Sequence, residues 1–404
     1  MKKDTIVALA LTMGAVSVTQ AADFDFGTHM KDAFKVFDAK REQAENPYLQ
    51  ELTLKMRGQY QWGYLEPAGG SARVKGNRHD NNEWRRFRLG AQAKMFHAIT
   101  LKGVWNIGGL DGRNKYGDGE WSRSRSEGTL DELTLSTTLN PITLTVGKHK
   151  PAYMAEYRTS SAKIITMERS MLVNQLKAEK LYGLSVANAN QKSEWSWNAG
   201  LWLNGQRDTA WLEPSFNSDD NVTFGASVSR AIGGNSRLQL DYMHSFRKDG
   251  AVNSGSEYAG PGAQDVVALS WELKQDKLSF LAEVLGGFNV YSSAKDAENV
   301  YGLVLMPSYR FSPHWEGVLR YQLASGSNAV KSDSRYYSTN STYSGTSDLL
   351  QGVYLGANYY VFPSNPHMLK LMFGAEYLNS EGADAKGEKG FTGWQFSSAV
   401  RFDF

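Results

Sequence analysis

Between Lys55 and Lys102 the cations Lys55, Arg57, Arg73, Lys75, Arg78, Arg85, Arg86, Arg88, Lys94 and Lys102 face only the acids Glu66, Asp80 and Glu83. Arg binds oxyanions through paired N–H donors, and Lys binds them as a point charge. Arg86, Arg88 and Lys94 alternate with Phe87, Leu89 and Met95. In an extended chain that spacing puts cations on one face and apolar side chains on the other. Two uses stay open for such a face. It can concentrate anions, or its cations can pair with acids across a hydrated surface.

A second stretch breaks the alternation. Gly147-Lys148-His149-Lys150-Pro151-Ala152-Tyr153 follows Ile142–Val146, and Thr159–Ser170 comes after it. Period-two spacing does not return until near Tyr182. Connections of that length tend to carry function. Other chemistries find no support. The chain has no Cys, so disulfides, thiolate metal sites and Cys nucleophiles are excluded. Its seven His show no HExxH spacing, and neither a GxSxG nor a P-loop occurs. His244 shares a face with Tyr242 and Phe246, which suits packing better than hydrolysis with Ser245. Asp131-Glu132 and Asp219-Asp220 are expected on opposite strand faces or in loops. No cofactor or metal is expected, and a net charge of +2 gives no reason to invoke nucleic acid.

Which elements position these residues? Residues 1–21 read as a secretory signal: Lys2 and Lys3, an apolar run from Ile6 to Val18, and small residues to Ala21. Residues 22–49 form a short N-terminal periplasmic segment, where Met30, Phe34 and Phe37 have helical spacing. From there to residue 404 the period is two. Ile99–Ile107, Trp195–Leu203, Leu238–Phe246, Trp315–Leu323, Leu369–Tyr377 and Trp394–Phe404 all alternate apolar with polar residues. About sixteen such segments predict an all-β, transmembrane antiparallel β-barrel with an inward-folded constriction loop. No run reaches the ~20 apolar residues of a spanning helix. Gly233-Gly234-Asn235 and Gln275-Asp276 read as short periplasmic turns. Polar stretches near 66–82, 109–127, 205–220, 248–264, 325–347 and 380–390 read as extracellular loops. Trp and Tyr are frequent, as a membrane interface favours. A charge facing lipid at mid-membrane costs ~2–4 kcal/mol. Lys55, Arg57, Arg86, Arg88, Lys94, Lys102, Arg320 and Arg401 are therefore expected to line the lumen.

The string Val146-Gly147-Lys148-His149-Lys150-Pro151, then Thr159-Ser160-Ser161, then Met167-Glu168-Arg169-Ser170, resembles the phosphate-selective porin O and P family. Arg85-Arg86-Phe87-Arg88-Leu89-Gly90 is similar to that family's early R-R-x-R-L-x strand, and Trp195–Gly205 to a later one. The terminal Phe404 resembles the sorting signal of outer-membrane barrels. The resemblance implies a sixteen-stranded, homotrimeric porin of the Gram-negative outer membrane, in contact with lipid and lipopolysaccharide. It implies passive diffusion of small, phosphate-like anions. Arg158, Thr159, Ser160, Ser161, Lys163, Glu168 and Arg169 would then lie in the constriction loop, Glu168 pairing with Arg169 or a wall arginine. Two rivals stay open. A general or sugar-permeable porin would use aromatic residues such as Tyr153 and Tyr157 at the eyelet. An adhesin or phage receptor would use the loops at 248–264 and 325–347.

Overall fold

A computed structural model describes residues 41–42, 45–68, 80–107, 129–204, 222–246, 260–290, 299–331, 346–382 and 390–404. The expected signal peptide, most of the N-terminal segment and most of the long loops lie outside these residues. Sixteen long strands follow: β1 (Leu49–Pro67), β2 (Asp80–Met95), β3 (Ile99–Asn106), β4 (Thr129–Leu139), β5 (Ile142–His149), β6 (Leu181–Asn188), β7 (Trp195–Leu203) and β8 (Val222–Ile232). Then come β9 (Ser236–Ser245), β10 (Ala263–Gln275), β11 (Leu278–Val290), β12 (Asn299–Arg310), β13 (Trp315–Lys331), β14 (Thr346–Tyr360), β15 (Leu369–Glu381) and β16 (Gly393–Asp403). Each pairs antiparallel with its sequence neighbours. β16 closes onto β1, from Gly393↔Pro67 to Asp403↔Arg57. A two-residue strand, Arg41–Glu42, adds to β1.

Closure satisfies every strand edge, which a sheet in lipid requires. Short turns join the strands at one end. Phe96 and His97 both have positive φ, 53° and 56°, as a tight twisted hairpin demands. Gly233 has φ 65° in the expected β8–β9 turn. One expected loop is shorter than its polarity suggests. Residues 325–331 continue β13, pairing as far as Lys331↔Thr346 beyond a register shift. Ser325 and Ser327 there are exposed and the buried residues are Ala329 and Val330, so polarity alone did not separate strand from loop.

The outer surface is greasy. Leu101, Leu135, Val146, Leu184 and Leu201 stand side by side across five strands. All five are exposed. Leu319, Leu355, Ala375 and Phe396 form a second row. In water such rows would forfeit about 25 cal/mol per Å² of apolar surface, whereas against lipid tails they forfeit nothing. Among the described residues, no helix is long and apolar enough to cross a membrane. The exposed apolar rows on the strands form the kind of outward band that a barrel presents to lipid.

Candidate functional site: the constriction

Between β5 and β6 the chain folds into the barrel as a loop with two short helices, α1 (Ala155–Arg158) and α2 (Met171–Leu176). Tyr153, Met154, Met171, Leu172, Val173 and Leu176 are buried. They pack in one cluster with inward-facing Val266, Leu285, Val304, Ala324 and Leu350 of the wall. Thus the inner face is apolar where the loop lies on it and polar elsewhere. Gly225 makes the close approach possible: a Cβ there would sit 2.3 Å from the Tyr153 ring.

Wall side chains then grip the loop backbone. Glu283 of β11 accepts the N–H groups of Ala155 and, at 3.3 Å, Glu156. Asp241 of β9 accepts that of Met154 at 3.0 Å. Further along, wall donors reach successive loop carbonyls. Gln59 donates to Ser161 O (2.8 Å), Lys370 to Ile164 O (2.6 Å) and Asn358 to Ile165 O (2.9 Å). Arg401 donates to Met167 O and Arg320 to Glu168 O (2.6 Å). Hydrogen bonds involving a charged group contribute roughly 1.5–3 kcal/mol each. The loop is therefore fastened along much of its length.

This arrangement revises two expectations. Arg320 and Arg401 point inward, but they are 2% and 1% exposed beneath the loop. Arg320 also pairs with Glu376 at 2.9 Å and Glu156 at 3.3 Å. Both hold the loop by its carbonyls instead of presenting charge to open lumen, because the loop covers the wall on which they stand. Tyr153 is likewise buried, on the side of the loop that packs against the wall, so it offers no aromatic surface to a sugar.

Opposite the covered wall, a cavity of about 440 Å³ is bordered by β1–β5 and the loop. Arg57, Arg85, Arg86, Arg88, Lys102, Lys148, Lys150, Arg158, Arg169, Lys177 and Lys180 line it, against Asp131, Glu132 and Glu179. Arg57 bonds Asp403 at 2.6 Å and Ser161 Oγ at 3.0 Å. Arg88 meets Asp131 at 2.8 Å, and Lys102 meets Glu132 at 2.5 Å. Arg158 reaches Glu272 and, at 3.6 Å, Asp241. Arg86, Lys150 and Arg169 differ: their hydrogen-bond acceptors are neutral. Arg86 donates to Gln59 Oε1 (2.7 Å) and Arg169 to Glu156 O and Thr159 O (both 2.8 Å). Lys150 donates to Tyr157 O (2.6 Å) and Arg158 O (3.0 Å). Lys150, Arg169 and Lys177 surround the Tyr157 ring at 4.8, 5.2 and 5.5 Å. The π face attracts all three and holds like charges together.

The remaining expected residues lie around this cavity or away from it. Lys55 is half-buried on β1, paired in register with Gly90. Lys94 sits at the short-turn end, paired with Glu51 at 2.8 Å. Thr159 Oγ1 donates to Ala155 O at 3.1 Å, and Ser160 Oγ accepts Ala162 N–H at 3.4 Å. Lys163 is exposed. Glu168 takes its ion pair from Arg85 at 2.7 Å, not from Arg169. Burial pushes the Glu168 carboxyl up, but Arg85 and Arg86 outweigh it and hold it well below the carboxylate range. Burial, and after it Arg169, Lys180 and Arg57, pushes Lys150 down to about 6, against carbonyl acceptors that favour its charged form.

Two β-bulges brought in residues that alternation assigns elsewhere. Gln59 pairs with Arg86 but Tyr60 with Trp84, so Arg85 is the extra residue and turns inward beside Arg86. Val104 pairs with Glu132 but Trp105 with Leu130, so Asp131 is extra. Asp131 and Glu132 therefore both face the cavity, contrary to the expectation of opposite faces. A bulge re-aims side chains in this way. Lys148 and Lys150 were visible in the sequence inside the Gly147–Pro151 string, yet nothing there gave their direction. Lys177 and Lys180 carried no periodic signal. His149 accepts from the Trp202 indole N–H at 3.0 Å through Nε2, and its Nδ1 lies 2.9 Å from Gly147 O. Indole only donates, so Nδ1 carries the proton and the imidazole is neutral.

A closed barrel, greasy outside and narrowed inside by a charged loop, is the architecture of an outer-membrane porin. The family model for the phosphate-selective porin O and P matches residues 54–223. No curated protein sequence matches the chain. Among solved structures it is similar to Salmonella typhi OmpF in complex with daunomycin: 12% identity, TM-score 0.58, 90% of this chain and 100% of that one covered. The trimer form of Vibrio cholerae OmpT gives 11% identity, TM-score 0.52, and 87% and 99% coverage. An anion-selective porin from Comamonas acidovorans gives 12% identity, TM-score 0.51, and 87% and 99% coverage. At these identities the likeness is one of fold.

Proposed function

We propose that the chain passes small anions, phosphate-like oxyanions among them, by diffusion through the eyelet between the loop and β1–β5. One observation carries this reading: Arg86 and Arg169, joined by Lys150 when it is protonated, border one passage with neutral groups as their acceptors. Fixed cations in a narrow, low-dielectric passage raise the local anion concentration, and paired guanidinium donors fit oxyanions. The anion-selective behaviour of the Comamonas porin and the name of the matching family agree with it. A homotrimer, by analogy with the OmpT trimer form, and export by an N-terminal signal belong to the same proposal.

Planar-bilayer recording under a salt gradient tests it. The wild-type reversal potential should favour chloride over potassium, and added phosphate should block chloride current. Arg86→Glu with Arg169→Glu should abolish or reverse the preference. A cation-preferring wild type sinks the proposal. A weakly selective channel is the second reading, favoured by the acids that already pair with Arg57, Arg88, Lys102 and Arg158. It predicts swelling of proteoliposomes in neutral sugars at rates set by solute size alone.

A further inference from the structure

Within the eyelet, one group of cations is already occupied. Asp131 accepts from Arg88 at 2.8 Å and from Lys180. Glu132 accepts from Lys180 at 2.9 Å and Lys102 at 2.5 Å. The result is an unbroken chain, Arg88–Asp131–Lys180–Glu132–Lys102, across β2, β4, the stem of the loop and β3. All five residues border the cavity. Two adjacent acids do not share one strand face unless the strand bulges, and here the bulge at Asp131 makes them do so. Their carboxylate oxygens occupy the donor positions that a visiting oxyanion would seek.

We propose that Asp131 and Glu132 are built-in competitors, carboxylates of the protein that hold Arg88, Lys102 and Lys180 against the passing solute and set how tightly the eyelet grips it. This rests on the anion-favouring reading above. A channel must bind well enough to admit a solute and weakly enough to release it. Three uncompensated cations beside Arg86 and Arg169 would retain a multivalent anion. Two carboxylates that exchange with it restore release. The solutes most affected are those presenting two or more charged oxygens on one group, such as phosphate, because only they can replace a bridging carboxylate on two cations at once. Chloride should be affected less.

The rival explanation is that the chain of ion pairs merely ties the loop stem to the wall. Two variants of opposite charge separate these ideas. Asp131→Asn with Glu132→Gln removes the acids, and Lys180→Gln removes the shared cation. Both cut the ties to Lys180. Full-length protein is reconstituted in planar bilayers, and reversal potentials and block by inorganic phosphate are recorded. With competitors removed, chloride preference should rise and the half-blocking phosphate concentration should fall at least about threefold, as expected of removing charges a few ångströms from the path. Phosphate dwell times should lengthen. Lys180→Gln should move both quantities the other way. If both variants shift selectivity in the same direction, or only add current noise, the competitor role is overturned and a structural tie stands. If the first variant does not fold, the Lys180→Gln result still decides: an unchanged or strengthened phosphate block overturns the proposal. A wild type without anion preference is a different failure, because it removes the underlying reading as well.

Discussion

Lys150 shows how one residue's surroundings can alter the passage. Its pKa is pushed down to about 6. Below that value it is charged, and above it is largely neutral. Chloride preference should therefore grow as pH falls from 8 to 5, with a midpoint near 6, and Lys150→Met should remove the step. Reversal potentials measured across that range check this, and a flat wild-type profile contradicts it. Glu168 behaves differently. A depressed carboxylate pKa contributes stability above the unfolded value and loses it only as pH falls through the folded one. The Arg85–Glu168 tie should thus survive throughout that titration. The motif containing Glu168 was legible in the sequence, and the resemblance left its partner open between Arg169 and a wall arginine. That the partner is Arg85 was not, because a bulge is an insertion into a pairing register and a single strand does not display its partner.

At the level of elements, the loop and the wall are built for each other. Leu172 and Tyr153 press onto the wall, and the wall residues beneath them are small or apolar. Gly225→Val would push a side chain into the Tyr153 ring, where a Cβ would already be 2.3 Å away. Overpacking of this kind costs typically ~1–3 kcal/mol, so the loop should lift rather than the barrel fail. Unitary conductance should increase and ion preference weaken, and adding Tyr153→Ala should restore both toward wild type. Unchanged conductance in Gly225→Val would show that the loop does not need this contact. Here the sequence was legible in part. Broken alternation between Val146 and Tyr182 marked a loop, and its apolar content pointed into the lumen. Which wall it would lie on was hidden, since the inward residues of β9 to β15 are set by which strands become neighbours in a closed ring.

Considered whole, the molecule depends on closure. Met56 and Phe404 exchange backbone hydrogen bonds at 3.2 and 2.8 Å, sealing β16 against β1 down to the last residue. Deleting residues 393–404 would leave β1 and β15 with open edges in lipid, where each unsatisfied backbone group costs several kcal/mol. The truncated chain should show no heat-modifiable, fast-migrating form on unboiled SDS gels, whereas the full chain should. A folded band from the truncation would mean that closure is not required.

What the sequence determined by itself was the alternation, and with it the strands, their two faces and the barrel. That information is local: every second residue declares whether it faces lipid or water. The tertiary structure alone decided which cations stay open to the passage. Arg320 and Arg401 look the same in sequence as Arg86 and Arg88, yet the first pair is buried beneath the loop as its anchors while the second borders the cavity. The difference arises from contacts between residues far apart in the chain, and from two one-residue bulges that period two does not encode.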